Sequence, residues 1–515
     1  MNLHAKLAAS LIVIGGLAIV GYKYALPLIQ AEQQKESSDA RDLKGKLTIG
    51  MDNWVGYFPL CSSEMKKQMR RHGYALACED DKADYGARMQ RLKAGEIQFA
   101  VATVDSYLLN GAAKAYPGTI VAVIDESRGG DALVAWKEQV GRIEDLKKAS
   151  GFTIAFTPGS PSEHLLKSLA THFDVSTLRQ KTGSWRVEAT GSPDALEKLQ
   201  SRKVSAAVLW EPDVSRALAM PGVVKLLGTE DTKKLIVDVL LVNREFAQKN
   251  PEVVAAVIGT YFRVLGGYTD NREQLQQDVK QSTGQSIEQV SSMLNGVAWA
   301  GLADNAEYWF GAQPGTADGV VDAVESALHI LLDAGNFKES PIPEKDPYRL
   351  INRQYVLDAH QKAGPGGARK AVAAAALERP FTPLDAKGWA ALREVGTLKT
   401  RPVSFQSGTS DLSFEGKQEL DKMAENLKHY PNFRVVVKGH TGISGDPQEN
   451  KKLARERAES VARYLIVTFG LDINRLNVLG FGSDQPLARQ PGESDRAYGY
   501  RLPRVELSLV TEGAR

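Results

Sequence analysis

The pattern of apolar and polar positions changes three times along the chain. Residues 7–22 carry no charge and consist largely of Leu, Ile, Val, Ala and Gly. As a helix they span about 24 Å, and about 35 Å if the run continues past Lys23 to Ile29, against a hydrocarbon core of about 30 Å. Lys6 precedes the run, and Tyr22 and Tyr24 sit where interfacial aromatics belong. The pattern predicts a membrane anchor over residues 1–30. A cleaved signal peptide is the alternative, but it needs a small-x-small site, and Ile29 and Ala31 make a poor one. Either reading exports residues 31–515. Residues 31–45 are polar and charged and read as a linker.

From residue 46 short apolar runs alternate with amphipathic ones. Strands are expected over 47–50, 74–77, 99–102, 120–124, 132–136, 152–156 and 206–209, and helices over 62–72 and 84–94. This alternation predicts an α/β domain with a largely parallel sheet. Helical spacing follows over 251–266, 271–282, 286–296 and 316–334. Pro, Gly and Ala then become frequent, with an Ala-rich helix near 372–377. The expected domains are 46–345, a linker with helical segments over 346–399, and a second α+β domain over 400–515. In the last, strands at 433–438, 477–482 and 504–510 surround a helix at 450–469, with Leu453, Val461, Tyr464 and Leu465 as its apolar positions. No internal repeat is visible.

Composition narrows the function. Apolar residues at 43% and charged ones at 24% are ordinary for a folded protein and exclude a polytopic membrane protein. The charge sum, 64 − 62 = +2, shows no bias toward nucleic acid, which is not an expected partner. The eight histidines are scattered, and neither a GxSxG elbow nor a GxxxxGK[ST] loop occurs. A non-enzyme without metal or cofactor is expected.

In open parallel sheets, ligands sit beyond the carboxyl ends of strands. The polar residues so placed are Asp52, Asn53 and Trp54; Thr103 and Asp105; Ser127 and Asp131; Ser160 and Ser162; and Glu211. Ser160 and Ser162 open a helix, whose free N–H groups suit an anion. Other roles stay open: Trp54 as a core aromatic, Ser160 as a helix cap, Asp131 as a hinge hydrogen-bonder. Acidic side chains outnumber basic ones here, against a bare multivalent anion held by Arg and Lys.

The ordered series Trp54-Val-Gly-Tyr57, Ala-Gly-Glu-Ile-Gln-Phe-Ala over 94–100, Asp-Glu-Ser-Arg-Gly-Gly-Asp-Ala-Leu-Val over 125–134, Trp210-Glu-Pro212 and Asp238-Val-Leu-Leu-Val242 resembles the periplasmic solute-binding proteins of ABC importers for nitrate, sulfonates, taurine and thiamine-pyrimidine precursors. The resemblance covers about residues 46–330. It implies two α/β lobes joined by crossover strands, here 120–124 and 237–242, closing on a small polar or anionic solute, with Asp238 near the hinge. It also implies an inner-membrane transporter or sensor as partner. Some relatives use a Cys/His site to make pyrimidine rings, and this chain has no such cluster. Cys61 and Cys78 fall at one edge of a parallel α/β unit, so they form either a disulfide, which export permits, or two buried thiols.

The spaced string Gly439-His-Thr-x3-Gly445-x4-Asn450-x2-Leu453-x3-Arg457-Ala458-x2-Val461-x2-Tyr464-Leu465, followed by Gly480-Phe-Gly482, Pro486 and Arg504-Val-Glu506, resembles the OmpA-like peptidoglycan-binding domain. The resemblance implies contacts from Thr441, Gly442, Asn450, Arg457 and Arg504. In that family an Asp and an Arg grip diaminopimelate, one taking its ammonium and the other its carboxylate. Arg457 matches the Arg. The Asp position is Gly442, so the anionic half is missing, and Asp446 is the nearest substitute. Arg457 as a surface residue paired with Glu456 or Glu459 is the alternative. The expectation is thus a single-pass inner-membrane protein whose periplasmic domains bind a solute and dock on peptidoglycan. A membrane-to-wall tether that binds a protein partner is the second reading.

Overall fold

In a computed structural model the described residues are 43–148, 151–180, 182–311, 318–364, 381–399, 401–406 and 409–512. The expected anchor and the Ala-rich helix near 372–377 lie outside them. Among the described residues no helix is long and apolar enough to cross a membrane.

Residues 46–345 form two α/β lobes. The strands of lobe 1 are β1 (Gly45–Met51), β2 (Tyr74–Asp80), β3 (Phe99–Thr103), β4 (Gly118–Ser127), β10 (Val237–Asn243) and β11 (Val297–Trp299), ordered β11-β4-β10-β3-β1-β2. Lobe 2 orders β7 (Arg186–Glu188), β6 (Ile154–Phe156), β8 (Ala206–Trp210), β5 (Asp131–Trp136) and β9 (Val223–Gly228) as β7-β6-β8-β5-β9. The sheets are mixed rather than largely parallel. β1 pairs in parallel with β2 and β3, and β6 with β7 and β8, while β10 and β5 run antiparallel to both neighbours. The reason is the crossover. β4 leaves lobe 1 and turns at Gly129-Gly130 into β5 of lobe 2, and β9 returns to lobe 1 as β10. A strand arriving from the other lobe enters against the grain. β4, β5 and β10 are buried along their whole length, which their unbroken apolar runs reflect. Each lobe also repeats one strand order, two parallel pairings followed by an antiparallel insert.

The parallel strands feed helices α1 (Ser63–Arg71), α2 (Tyr85–Ala94), α3 (Val104–Ala112) and α4 (Pro161–His172). Thr103 caps α3 and Ser160 caps α4, each through a side-chain oxygen that accepts from a backbone N–H two or three residues on. Helix α5 (Pro251–Asp270) covers lobe 1, and α6 (Gly319–Asp333) packs on α3 of one lobe and α4 of the other. Cys61 and Cys78 are joined by a disulfide that ties the start of α1 to β2, with Cα atoms 6.2 Å apart.

The expected linker is not free chain. Ile351 bridges to Ile120, and Asn352 N–H donates to the Ile120 carbonyl at 2.8 Å. Helix α7 (Gln354–Ala363) then packs on α5. After residue 381, β12 (Arg393–Thr397) becomes the edge of the carboxyl-terminal sheet, ordered β12-β15-β13-β14 with β13 (Arg434–His440), β14 (Leu476–Gly482) and β15 (Arg504–Thr511). Helices α8 (Phe414–Lys428) and α9 (Pro447–Phe469) cover it. At Gly439 a Cβ would lie 2.0 Å from the Ala454 carbonyl oxygen, so α9 rides on bare backbone there.

This last domain is docked on lobe 2, and one apolar cluster runs through both. The His172 ring lies parallel to His429 at 5.5 Å, and its Nδ1 pairs with the Tyr430 hydroxyl at 2.8 Å. His429 and Asn432 grip the loop that carries β9 back to the crossover. Lys233 N–H donates to the His429 carbonyl at 2.9 Å, His429 Nδ1 donates to the Lys233 carbonyl at 3.0 Å, and Asn432 Nδ2 donates to the Glu230 carbonyl at 3.0 Å.

Candidate functional site

The crevice between the lobes collects the loops at the carboxyl ends of β1, β3, β6 and β8 with the two crossovers. Nearly all the expected ligand residues are there, and nearly all are buried: Asp52, Trp54, Thr103, Asp105, Ser127, Asp131, Ser160, Ser162, Glu211 and Asp238 are below a tenth exposed, and Asn53 is exposed.

Most of them are held by other protein groups. Asp52 accepts from Trp54 N–H, the Tyr85 hydroxyl and Arg88 Nη2, each at 3.1 Å. Arg88 is fully buried and also pairs with Asp81 and the Val101 carbonyl. Trp54 Nε1 donates to Asp125 at 3.2 Å, and its ring lies on Gly130, where a Cβ would come within 2.1 Å. Asp238 accepts from the Tyr57 hydroxyl. Ser127 Oγ donates to Asp131 Oδ2 at 2.7 Å, and Thr229 Oγ1 accepts from Asp131 N–H at 3.2 Å. Glu211 accepts from Ser215 Oγ at 2.7 Å and Ser215 N–H at 3.1 Å. Hydrogen bonds across the crevice include Trp210 Nε1 to Asn53 Oδ1 at 3.2 Å, Asn110 Nδ2 to the Gly159 carbonyl at 2.9 Å, and Ser215 Oγ with Ser292 Oγ at 3.2 Å.

Four groups are left over. Asp105 Oδ1, Thr157 Oγ1, Ser162 Oγ and both ring nitrogens of His164 are buried without a protein hydrogen bond. Asp105 opens α3 on lobe 1, and the others stand at the start of α4 on lobe 2, against which α3 packs. Sequence reasoning missed Thr157, His164, Asp125 and Trp210. His164 had a signal, a polar residue early in a helix that follows Gly159-Ser160-Pro161-Ser162.

The site is electrostatically acidic. Burial pushes the Asp125 carboxyl up to about 8, opposed by the Trp54 N–H and reinforced by the Asp131 charge. Burial likewise raises Asp131 to about 7, opposed by Ser127 and reinforced by Asp105, Asp52 and Glu211. Asp238, the register partner of Asp125 on β10, is raised by burial and by that neighbour. Burial lowers His164 and keeps it neutral, with Asp105 pulling the other way. Among the described residues no three His, Cys, Asp or Glu are grouped to hold a metal ion.

In the carboxyl-terminal domain Thr441 and Gly442 follow β13, Asn450 and Arg457 lie on α9, and Arg504 opens β15 opposite His440. Arg457 stands 5.0 Å over the Phe405 ring and donates a long bond of 3.4 Å to the Thr409 carbonyl, not to Glu456 or Glu459. It is half-buried, and burial lowers its pKa. Asp446 uses Oδ1 to cap α9, accepting from Gln448 and Glu449 N–H at 2.8 and 3.0 Å. Asn450 Nδ2 donates to the Ser444 carbonyl, fixing the loop. Around Gly442 there is open space where a Cβ would go. Arg504 is tied to Glu506 at 2.6 Å.

Residues 404–499 match the OmpA family. Over 100 residues the chain is 35% identical to outer membrane protein Omp38 of Acinetobacter baumannii, covering 19% of this chain and 28% of that protein. Over 113 residues it is 34% identical to the peptidoglycan-associated lipoprotein of Pseudomonas aeruginosa, covering 22% and 63%. The chain thus spans under a third of the first curated relatives it matches. The two lobes are similar to the periplasmic aliphatic sulphonate binding protein of Escherichia coli at 20% identity and a TM-score of 0.45, covering 59% of this chain and 98% of that one. They are also similar to the periplasmic nitrate-binding protein of Synechocystis at 13% identity and a TM-score of 0.46, covering 62% and 88%. The carboxyl-terminal segment is an OmpA domain, and the segment before it has solute-binding-protein neighbours.

Proposed function

We propose that this chain is a solute receptor held at the cell wall: its two lobes close on a small polar ligand, and its OmpA domain docks on peptidoglycan. One observation supports the first half above the others. Both lobes contribute buried polar groups without protein partners, Asp105 from one and Thr157, Ser162 and His164 from the other. A bound solute would satisfy them. The match of residues 404–499 to the OmpA family supports the second half, with the half-buried Arg457 taking the carboxylate of a stem peptide. Residues 1–30 anchor the chain in the inner membrane in this reading, and the receptor delivers its solute to a transporter or sensor there. Such tethering raises the local concentration of receptor near its membrane partner. The full chain should co-sediment with purified sacculi, and Arg457→Ala should move most of it to the supernatant. Wild-type protein that stays in the supernatant removes the docking claim.

The extent of internal bonding in the crevice favours a second reading. Asp52, Glu211 and Asp238 are all satisfied by protein groups. In that reading the lobes form a fixed platform and the molecule is a membrane-to-wall tether.

A further inference from the structure

We propose that the crevice takes a small organic cation, a protonated amine, with its ammonium held between Asp105 and Asp131. The inference rests on the receptor reading and names its ligand class. Asp105 is 4% exposed. Its Oδ2 receives only a long bond from Ser106 Oγ at 3.4 Å, and its Oδ1 receives nothing. A buried carboxylate oxygen without a donor is costly, so the site is complete only when a donor arrives. Asp131 spends one oxygen on Ser127. Burial is the main cause that raises its pKa, and the charges of Asp105, Asp52 and Glu211 add to it.

The neighbouring cations are already engaged. Arg88 is bound to Asp52, Asp81 and the Val101 carbonyl. Arg128 is bound to Thr232 and Glu126. Lys167 and Arg186 share Glu163 at 3.3 and 3.2 Å. Burial keeps His164 neutral. The start of α4 does not invite an anion either. Ser160 Oγ already accepts from Ser162 N–H, and the first-turn carboxylate of Glu163 already accepts from Gly159 N–H.

An ammonium carries three donors and no acceptor. The orphaned Asp105 Oδ1, Thr157 Oγ1 and Ser162 Oγ all accept. A bare metal ion fits less well, because among the described residues no three acidic or histidine side chains are grouped to hold one.

The test is titration calorimetry of the full chain with putrescine, agmatine and ethanolamine, against nitrate, methanesulfonate and acetate at equal ionic strength. At least one amine should bind saturably and the anions should not. Asp105→Asn and Asp131→Asn should each weaken that amine at least tenfold. Ser162→Ala, which deletes one acceptor without touching a charge, should weaken it several-fold and keeps the test open if an Asp variant does not fold. Saturable binding of an anion in place of the amines overturns the inference and leaves the receptor reading standing. Amine binding that none of the three substitutions changes also overturns it. A folded protein that binds no probe overturns both.

Discussion

Trp54 and Gly130 make a tight contact between the first strand's loop and the crossover. A methyl group at residue 130 would fall 2.1 Å from the indole Cη2. Gly130→Ala should therefore cost about 1–3 kcal/mol by overpacking, read as a lowered melting temperature, and Trp54→Leu should recover part of it in the double variant. Additive losses would place the strain elsewhere. Asp125 makes a pH-dependent contribution of a definite sign. Its folded pKa, about 8, lies above the ordinary carboxylate value, so the fold binds a proton that the unfolded chain has released. That contribution is full below about pH 4 and is lost as pH rises through about 8. Thermal stability should fall between about pH 4 and 8 and level off above that, and Asp125→Asn should flatten this limb, since Asn keeps an acceptor for Trp54 Nε1. An unchanged slope would show that Asp131 and Asp238 carry the effect. Much of this site was legible from placement alone. Asp52, Trp54, Asp105, Asp131 and Ser162 each follow or begin a strand or helix at the carboxyl edge of a sheet, and that edge is where the lobes meet. What could not be read was which side chains spend their bonds on the protein. Asp52 is consumed by Arg88, thirty-six residues away, whereas Asp105 keeps an open oxygen. Only the folded register decides that.

At the scale of elements, two connections carry testable energy. The Cys61–Cys78 bridge closes a loop of 17 residues between the start of α1 and β2. Its removal should cost roughly 3 kcal/mol from loop entropy, checked by denaturation of the Cys61→Ala/Cys78→Ala chain against wild type. A loss near zero would mean that the unfolded chain is already restrained there. The second connection joins α4 to the end of α8. His429 Nδ1 faces a carbonyl, so it donates, and Nε2 pairs with Ser326 Oγ at 3.2 Å, an arrangement that suits a neutral ring. Burial lowers the pKa of both His172 and His429, and the charge of His429 lowers that of His172 further. A depressed base binds fewer protons in the fold than in the unfolded chain, so its contribution is present above about pH 6.5 and is lost as pH falls below that. Stability should drop between pH 7 and 5, and the drop should shrink in His172→Gln/His429→Gln. A drop of equal depth in that variant would assign it to other groups. The strands and helices themselves followed the sequence pattern closely. The antiparallel insertion of β5 and β10 did not, because a buried strand reads the same in either direction. β12 was hidden for another reason: its Arg-Glu-Val-Gly-Thr run is half exposed at a sheet edge and follows a Pro- and Ala-rich stretch.

Across the whole molecule, the OmpA domain grips the loop between β9 and β10 through His429 and Asn432, and that same loop supplies Thr229 to the crossover. The OmpA domain is therefore fastened to lobe 2 at the return crossover. Gly442 occupies the position where the family resemblance leads one to expect an Asp. Open space surrounds Gly442, so Gly442→Asp should fold normally and increase the fraction of protein that sediments with sacculi. A decrease would show that the loop has been remade around glycine. The account's central claim is that one chain binds a solute and the wall together. The most direct measurement is equilibrium binding of radiolabelled amine to washed sacculi, with and without the full chain. Label should pellet only when the protein is present, and should be lost from the pellet with Asp105→Asn, which leaves the protein sedimenting, and with Arg457→Ala, which does not. Protein that pellets without label, or label that binds protein the sacculi do not retain, would contradict the account.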